Sequence, residues 1–297
     1  MSTVIIVNPI AGGVSRSLAA TRVAMASRAV DRDGKPVTVF VTECAGHARE
    51  LARSSLSNGA DRIVAWGGDG TINEVASALI TDPAATLGVV PAGSGNGLAR
   101  VLELPTHPAH ALSIALSAPA KPIDAGELGG RLFVNVAGIG FDAHVASKFN
   151  ARDNRVRGLT GYVLITATEL MTYRTCRYTM ATANASWSVR ALLIVLANGI
   201  EFGNRIAIAP RARVDDGALD LVTVVEESRW TTLLNLRRLL TGSIELAPIW
   251  SARRIDEITI TATAPMLFHV DGEPVQGGTT LHARIHPGAL RIACGSG

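Results

Sequence analysis

Three glycine-rich segments each follow a short β-branched run and precede a run of helical period: Asn8-Pro9-Ile10-Ala11-Gly12-Gly13, Gly67-Gly68-Asp69-Gly70-Thr71 and Pro91-Ala92-Gly93-Ser94-Gly95-Asn96-Gly97. Glycine lets the backbone approach a ligand closely, so successive N–H groups can point at phosphate oxygens while the next helix adds its positive N-terminus. The chemistry these residues suit is phosphate binding. Neither G-x-x-x-x-G-K-[ST] nor a G-x-G-x-x-G after the first strand occurs, which excludes a Walker loop and a dinucleotide fingerprint. A carboxylate at Asp69 would repel phosphate unless a divalent cation or a transferable proton stood between them, so it points to magnesium or to catalysis. One Gly-Asp-Gly alone is also an ordinary turn; three such segments in register argue for a site. Thr71 and Glu74 form T-x-x-E ahead of an apolar helical run, a pattern that serves a capping box or a ligand, with Thr71 able to do both.

Downstream, Asp215-Asp216-Gly217 and Asp271-Gly272-Glu273 read as tight turns between strands that also present carboxylates. Asp142, after a Gly-Phe pair, reads as a helix cap or turn, or as a carboxylate for a polar head group.

The elements that must carry these residues change character along the chain. Up to residue 124, strands at Val4–Val7, Val37–Val41, Arg62–Trp66 and Thr86–Val90 alternate with helices near 15–30, 45–58, 72–80 and 98–102, which predicts a doubly wound parallel sheet. In such sheets ligands lie beyond the carboxyl ends of the strands, where the three glycine segments fall. From 125 to 297 the rhythm becomes mostly antiparallel β, with strands at 132–137, 176–182, 191–197, 206–209, 218–225, 257–263, 266–270 and 281–285 and helices near 158–173 and 230–240. The domains expected are 1–124 and 125–297, with the last strand, 290–294, free to return to the first.

The 297 residues are 47% hydrophobic and 18% charged, which excludes disorder and allows a large core. A net charge of +3 is too even for nucleic-acid binding by electrostatics. Mean hydropathy is high, +0.27, yet no apolar run reaches the ~18 residues of a transmembrane span. MSTVIIVNP lacks the basic start of a signal peptide, so a cytoplasmic protein is expected. Three scattered cysteines, Cys44, Cys176 and Cys294, give no metal or disulfide pattern.

Gly67–Val75 (GGDGTINEV), Pro91–Arg100 (PAGSGNGLAR) and Val7–Gly13 (VNPIAGG), followed in order by FVNVAGIGFDAHV, RVDDGALDL and HVDGEPV, resemble the diacylglycerol kinase catalytic-domain family, which includes bacterial lipid kinases and sphingosine and ceramide kinases. The resemblance covers almost the whole chain. It implies a nucleotide-binding α/β domain, a β-rich lipid-binding domain, and transfer of the γ-phosphate of Mg-ATP to a lipid hydroxyl in the cleft between them. It implies nucleotide contacts at Asn8, Thr42, Trp66, Gly67, Gly68, Asp69, Gly70, Thr71, Ile72 and Ser94, to which Glu74 and Asn96 are added. Asp271 matches the family's catalytic carboxylate and is assigned as general base, Asp69 as organiser of Mg-ATP, and Glu273 as the alternative base. A structural Mg²⁺ is implied on the Asp216 side chain and the carbonyls of Arg213 and Ala218.

Many bacterial members carry an acidic residue after the loop asparagine; here Asn96 is followed by Gly97, a form closer to sphingosine and ceramide kinases. The acceptor is therefore left between diacylglycerol and a sphingoid base. Rival readings are a kinase of a soluble acceptor, of the NAD kinase kind, and a non-catalytic nucleotide- or lipid-sensing module. Membrane docking, transient and peripheral, would use Arg152, Arg155 and Arg157 near Phe149, or Trp230, Arg237 and Arg238 near Trp250, unless these are solvated arginines on packed helices. A homodimer is left open.

Overall fold

The computed structural model describes residues 2–151, 159–203 and 206–295. The chain divides into two compact units, Met1–Ile123 with Gly288–Gly297, and Asp124–Pro287.

In the first unit the elements run β1 (Ser2–Val7), α1 (Arg16–Ser27), β2 (Thr38–Val41), α2 (His47–Ser57), β3 (Ala60–Gly67), α3 (Asp69–Leu79), β4 (Thr86–Pro91), α4 (Gly97–Val101) and α5 (Pro108–Ser117). The sheet order is β2-β1-β3-β4, every pair parallel. β3 and β4 are buried along nearly their whole length, as strands covered on both faces must be, and accordingly they read as continuous apolar runs. On one face Ile5, Val7, Val64, Trp66 and Val90 pack with Ala26 of α1 and with Ala111, Leu112, Ala115 and Leu116 of α5. The alternate residues Ile6, Ile63, Ala65, Leu87 and Val89 are equally buried, and α2 and α3 pack together and against β3. α3 turns Ile72, Val75, Ala76 and Leu79 inward at helical spacing. The sequence reading missed α5, whose start is marked by Pro108 in its first turn, a position where proline's missing N–H costs nothing.

The second unit holds β5 (Ala120–Leu128), which begins in the first, then β6 (Arg131–Phe133), β7 (Val136–Gly140), α6 (Phe141–Ala151), α7 (Leu159–Leu170), β8 (Cys176–Ala181), β9 (Ser186–Ala197), β10 (Leu219–Val225), α8 (Arg229–Leu240), β11 (Trp250–Ile255), β12 (Glu257–Ala262), β13 (Leu267–Val270), β14 (Glu273–Gln276) and β15 (Thr280–Ala293). Its main path is β14-β13-β7-β9-β8-β12-β15, all antiparallel, with β10 branching from β9 to β11. β9 is the pivot: Ile194 and Leu196 enter one apolar cluster, Val195 and Ala197 the other, the period of two of a strand with two dry faces. β15 is shared. Its Thr280–Arg284 stretch pairs with β12, and Arg291 and Ile292 pair in parallel with Thr86 and Leu87 of β4.

The fold is thus mixed α/β, with an N-terminal parallel sheet and a C-terminal antiparallel β-rich part. The expected strand 206–209 is a correction. Ile208 and Ala209 donate their N–H groups to one carbonyl, that of Ile200, so the segment turns back on itself and forms only an isolated bridge, Glu201 to Ala207. The strand expected at 132–137 is broken into β6 and β7, and α6 was not foreseen. Arg152, Arg155, Arg157, Gly158 and the side chain of Arg237 lie outside the described residues.

Candidate active site

Register places Val41, Val7, Trp66 and Val90 in one row across the parallel sheet, so Thr42, Asn8, Gly67-Gly68 and Ala92 leave it together at the strands' carboxyl ends. β1 connects onward to β2 on one side while β3 lies on its other side, the kind of reversal where a crevice opens. Backbone bonds continue the sheet beyond its last row: Thr42 N–H to Val7 O at 2.9 Å, Asn8 N–H to Trp66 O at 2.8 Å and Ala92 N–H to Gly67 O at 2.8 Å. Asn8 bridges the crevice. Its Nδ2 donates to Thr71 Oγ1 at 3.0 Å, and its Oδ1 accepts the N–H of Ile10 at 3.2 Å.

The second and third glycine segments touch through their backbones. A Cβ on Gly93 would lie 2.7 Å from Gly68 Cα, so no side chain fits there. Asp69 locks them: Oδ2 accepts the N–H of Asn96 at 2.9 Å and Oδ1 that of Gly97 at 2.7 Å. Asn96, in the left-handed region at φ +52°, closes its own loop by accepting the Gly93 N–H at 2.8 Å and donating to the Gly93 carbonyl at 3.0 Å. The acid that looked out of place in a phosphate loop is thus held by backbone donors of the neighbouring loop. Gly93→Ala is expected to weaken ATP binding at least about tenfold and to cost about 1–3 kcal/mol of stability through this collision; isothermal calorimetry and thermal melting check it.

The T-x-x-E pattern does not cap its helix. α3 starts at Asp69, three residues earlier than the pattern requires, which puts Thr71 inside the first turn. Glu74 then reaches across to accept the N–H groups of Gly46 and Ala48 at 2.8 and 3.0 Å, so it caps the start of α2 instead. The side chains of Trp66 and Ile72 are buried in the core and support the loops from beneath. Gly68, Asp69, Gly70, Thr42 and Asn96 are part-exposed and Ser94 is exposed, while Gly67 and Thr71 are buried.

In the second unit Asp271 and Gly272 join β13 to β14 as a two-residue hairpin, Val270 opposite Glu273. Both have positive φ, +48° and +87°, the geometry of a type I′ turn and the reason Asp-Gly suits it. The Asp271 side chain is buried at 8% exposure. Its Oδ2 accepts the Val134 N–H at 2.9 Å, and its Oδ1 those of Asn135 and Val136 at 2.9 and 3.0 Å. Asp271 therefore ties the hairpin to the β6–β7 connection, whereas Glu273 is exposed. Asn198, which the sequence reading missed, braces the same region by donating to the carbonyls of Asp124 and Val134 at 3.0 and 2.8 Å.

The implied structural magnesium would sit at residues 213–218, on the Asp216 carboxylate and the carbonyls of Arg213 and Ala218. Asp216 Oδ2 lies 2.8 Å from Arg254 Nη2, and its Oδ1 accepts the Ala218 N–H at 3.3 Å. Arg213 is paired with Asp215. Both oxygens of Asp216 face hydrogen-bond donors, and each keeps a lone pair with which a hard cation could be held. Burial, then the nearby Asp216, raise the Asp220 carboxyl above its usual range, against the pull of Arg254.

The second unit also holds a partly open pocket of about 60 Å³, lined almost wholly by apolar atoms from α6, α7, α8, β9 and β10. Phe141, Val145, Leu192, Phe202 and Leu239 are among its walls, and Asp142 is the one carboxylate. Asp142 is buried and accepts the Ala143 N–H at 2.8 Å. Beside it, burial holds the Tyr173 and Tyr178 hydroxyls above their usual range, which keeps them protonated.

A glycine crevice at a parallel-sheet switch point, followed by a β-rich unit with an apolar cavity, defines a nucleotide-using enzyme with an apolar second ligand. The diacylglycerol kinase catalytic domain family matches residues 2–128, and the YegS C-terminal NAD kinase beta sandwich-like domain matches residues 135–294. A protein of Pseudomonas aeruginosa named "Probable lipid kinase YegS-like" is 32% identical over 260 residues, covering 87% of this chain and 85% of its own. One with the same name from Chromohalobacter salexigens is 31% identical over 272 residues, covering 89% and 86%. A crystal structure from Bacillus anthracis str. Sterne, described as a diacylglycerol kinase, superposes with a TM-score of 0.71 at 20% identity over 99% of this chain and 96% of its own; a second from that organism reaches 0.80 at 22%, over 99% and 95%. The chain belongs to the diacylglycerol kinase family, in its YegS-like branch, and is a kinase of that type.

Proposed function

We propose that the protein transfers the γ-phosphate of Mg-ATP to a hydroxyl of a membrane lipid whose apolar part occupies the cavity walled by α6, α7, α8 and β9. The observation that carries the lipid half is that pocket: about 60 Å³, apolar in its lining, with a single carboxylate, Asp142, at its wall. A soluble dinucleotide acceptor would meet no polar partners there beyond Asp142, Thr166, Thr232 and Asn235. The nucleotide half rests on the glycine segments at the strands' carboxyl ends, where Gly68, Gly70 and Gly95 are part-exposed and carry no side chain to keep a phosphate away. Bound ATP supplies the transferable phosphoryl group; Asn8 and Thr71 hold the first loop against the second, and Asp69 holds the third.

For the proton of the acceptor hydroxyl we favour Glu273 over Asp271. The Asp271 carboxylate is buried and directed at three backbone N–H groups, which suits a brace. Glu273 is the exposed carboxylate of the same turn. Membrane access fits α8, where Trp230 and Leu234 are 73% and 65% exposed on a helix whose Thr232, Asn235 and Leu239 line the cavity. That helix carries Arg229, Arg237 and Arg238 and no acidic residue. No described helix is long and apolar enough to cross a membrane.

The deciding experiment is a transfer assay with labelled ATP, Mg²⁺ and mixed micelles of diacylglycerol, sphingosine, ceramide or phosphatidylglycerol, with NAD⁺ in parallel. Label in a lipid is expected. Label in NAD⁺ alone overturns the reading, and ATP binding without transfer to any acceptor favours a sensing module.

A further inference from the structure

His269 is nearly as buried as any polar side chain described, at 3% exposure, and it stands between two parts of the second unit that no other side chain joins in the hydrogen bonds described. On β13 it pairs with Gly138 of β7. Its Nε2 lies 3.3 Å from Asp142 Oδ2, and its Nδ1 accepts the N–H of Gly272 at 3.2 Å. An Nδ1 that accepts cannot carry a proton, so the ring is the neutral Nε2–H tautomer and donates to Asp142. Asp142 itself is 3% exposed, apart from the cavity it lines. Gly138 makes the pair sterically allowed: a Cβ there would fall 1.7 Å from Asp142 Oδ2 and 2.7 Å from His269 Nε2. Phe202, another cavity wall, rests on the imidazole with ring centres 6.3 Å apart.

We propose that His269 is a positioning residue that couples occupancy of the apolar cavity to the Asp271-Gly272-Glu273 turn, for an acceptor that offers a hydroxyl to Asp142. The inference rests on the acceptor reading of the cavity given above. A hydroxyl donating to Asp142 competes with, and reorients, the Nε2–H bond; the ring is fixed at its other nitrogen to the Gly272 amide, so the adjustment is delivered to the turn that carries Glu273. Asp142 and His269 are rigidly packed and have few alternative arrangements, which is what lets a local change travel. His269 touches neither the cavity's occupant nor phosphate.

The test uses the full chain with ¹³C-methyl and ¹⁵N labels and dihexanoylglycerol as probe, without nucleotide, so that it is independent of turnover. Long-range ¹⁵N–¹H spectra should show His269 as the Nε2–H tautomer. Titration should shift the Val145 and Leu192 methyls, the His269 ring and the Gly272 amide with one common saturation curve. In Asp142→Asn the methyls should still shift while the Gly272 response falls at least about fivefold. If the methyls shift and Gly272 does not, the coupling is wrong and the cavity reading stands; if the methyls are unmoved by saturating probe, both fall. In kinetics, His269→Gln, which keeps a donor but loses the Nδ1 acceptor, should lower kcat about tenfold with KM for ATP unchanged. An unchanged kcat in a folded variant overturns the proposal, whatever its Tm.

Discussion

Glu273→Gln is expected to lower kcat about a thousandfold while Tm stays within about 2 °C, whereas Asp271→Asn should lower Tm by about 6–12 °C. The two residues sit two apart in one hairpin, and although the family resemblance puts Asp271 first, residue type alone does not rank them. Their surroundings do. Glutamine at exposed residue 273 keeps the size and one oxygen of the side chain and removes its charge and its capacity to take a proton. Asparagine at 271 keeps the left-handed backbone comfortable, but presents an NH₂ group where Asp271 now accepts N–H groups from Val134, Asn135 and Val136. At least one of those buried donors loses its acceptor and meets another donor, a cost of about 3 kcal/mol. Steady-state kinetics and melting curves on both variants decide it. A stable, inactive Asp271→Asn beside an active Glu273→Gln would return the base role to Asp271.

Asp69→Ala should weaken ATP binding about a hundredfold and reduce turnover still further. The side chain accepts from Asn96 and Gly97, so its loss leaves two part-buried N–H groups without their acceptor and frees the third loop from the second, at about 1–3 kcal/mol for each donor. Calorimetric titration with ATP and limited proteolysis at Ser94–Gly95 report the two consequences separately. If ATP affinity and loop protection survive while turnover is lost, Asp69 acts on the reacting phosphate rather than through the loop.

The parallel sheet was legible because βαβ units advertise themselves: β1, β3 and β4 are continuous apolar runs, and each is followed at once by its glycines. The gathering of the glycine segments at one end of the sheet was legible for the same reason, since they lie at fixed offsets from strand ends. What stayed hidden depends on partners distant in sequence. Glu74 looked like a cap for its own helix because the pattern is local, yet the N–H groups it satisfies belong to residues 46 and 48. Trp66 and Ile72 flank the glycine loop in sequence, but alternation in β3 and the helical period of α3 turn them into the core. Asp142 and His269 are separated by 127 positions and meet only because β13 lies beside β7 with a glycine opposite. Arg254 pairs with Asp216 from 38 positions away, a contact that nothing near Asp216 in sequence announces.

β15 follows β4 by nearly two hundred residues, and its far end supplies the parallel partner for Thr86 and Leu87. During synthesis, β1 to β4 emerge early with the outer edge of β4 bare, and that edge is an open template for another chain. It is covered only after all of Asp124–Pro287 has left the ribosome. The second unit is contiguous and can close before the parallel sheet gains its last partner strand. A nascent chain stalled before residue 288 would carry its phosphate loops on an unfinished support, as a target for chaperones before it is an enzyme.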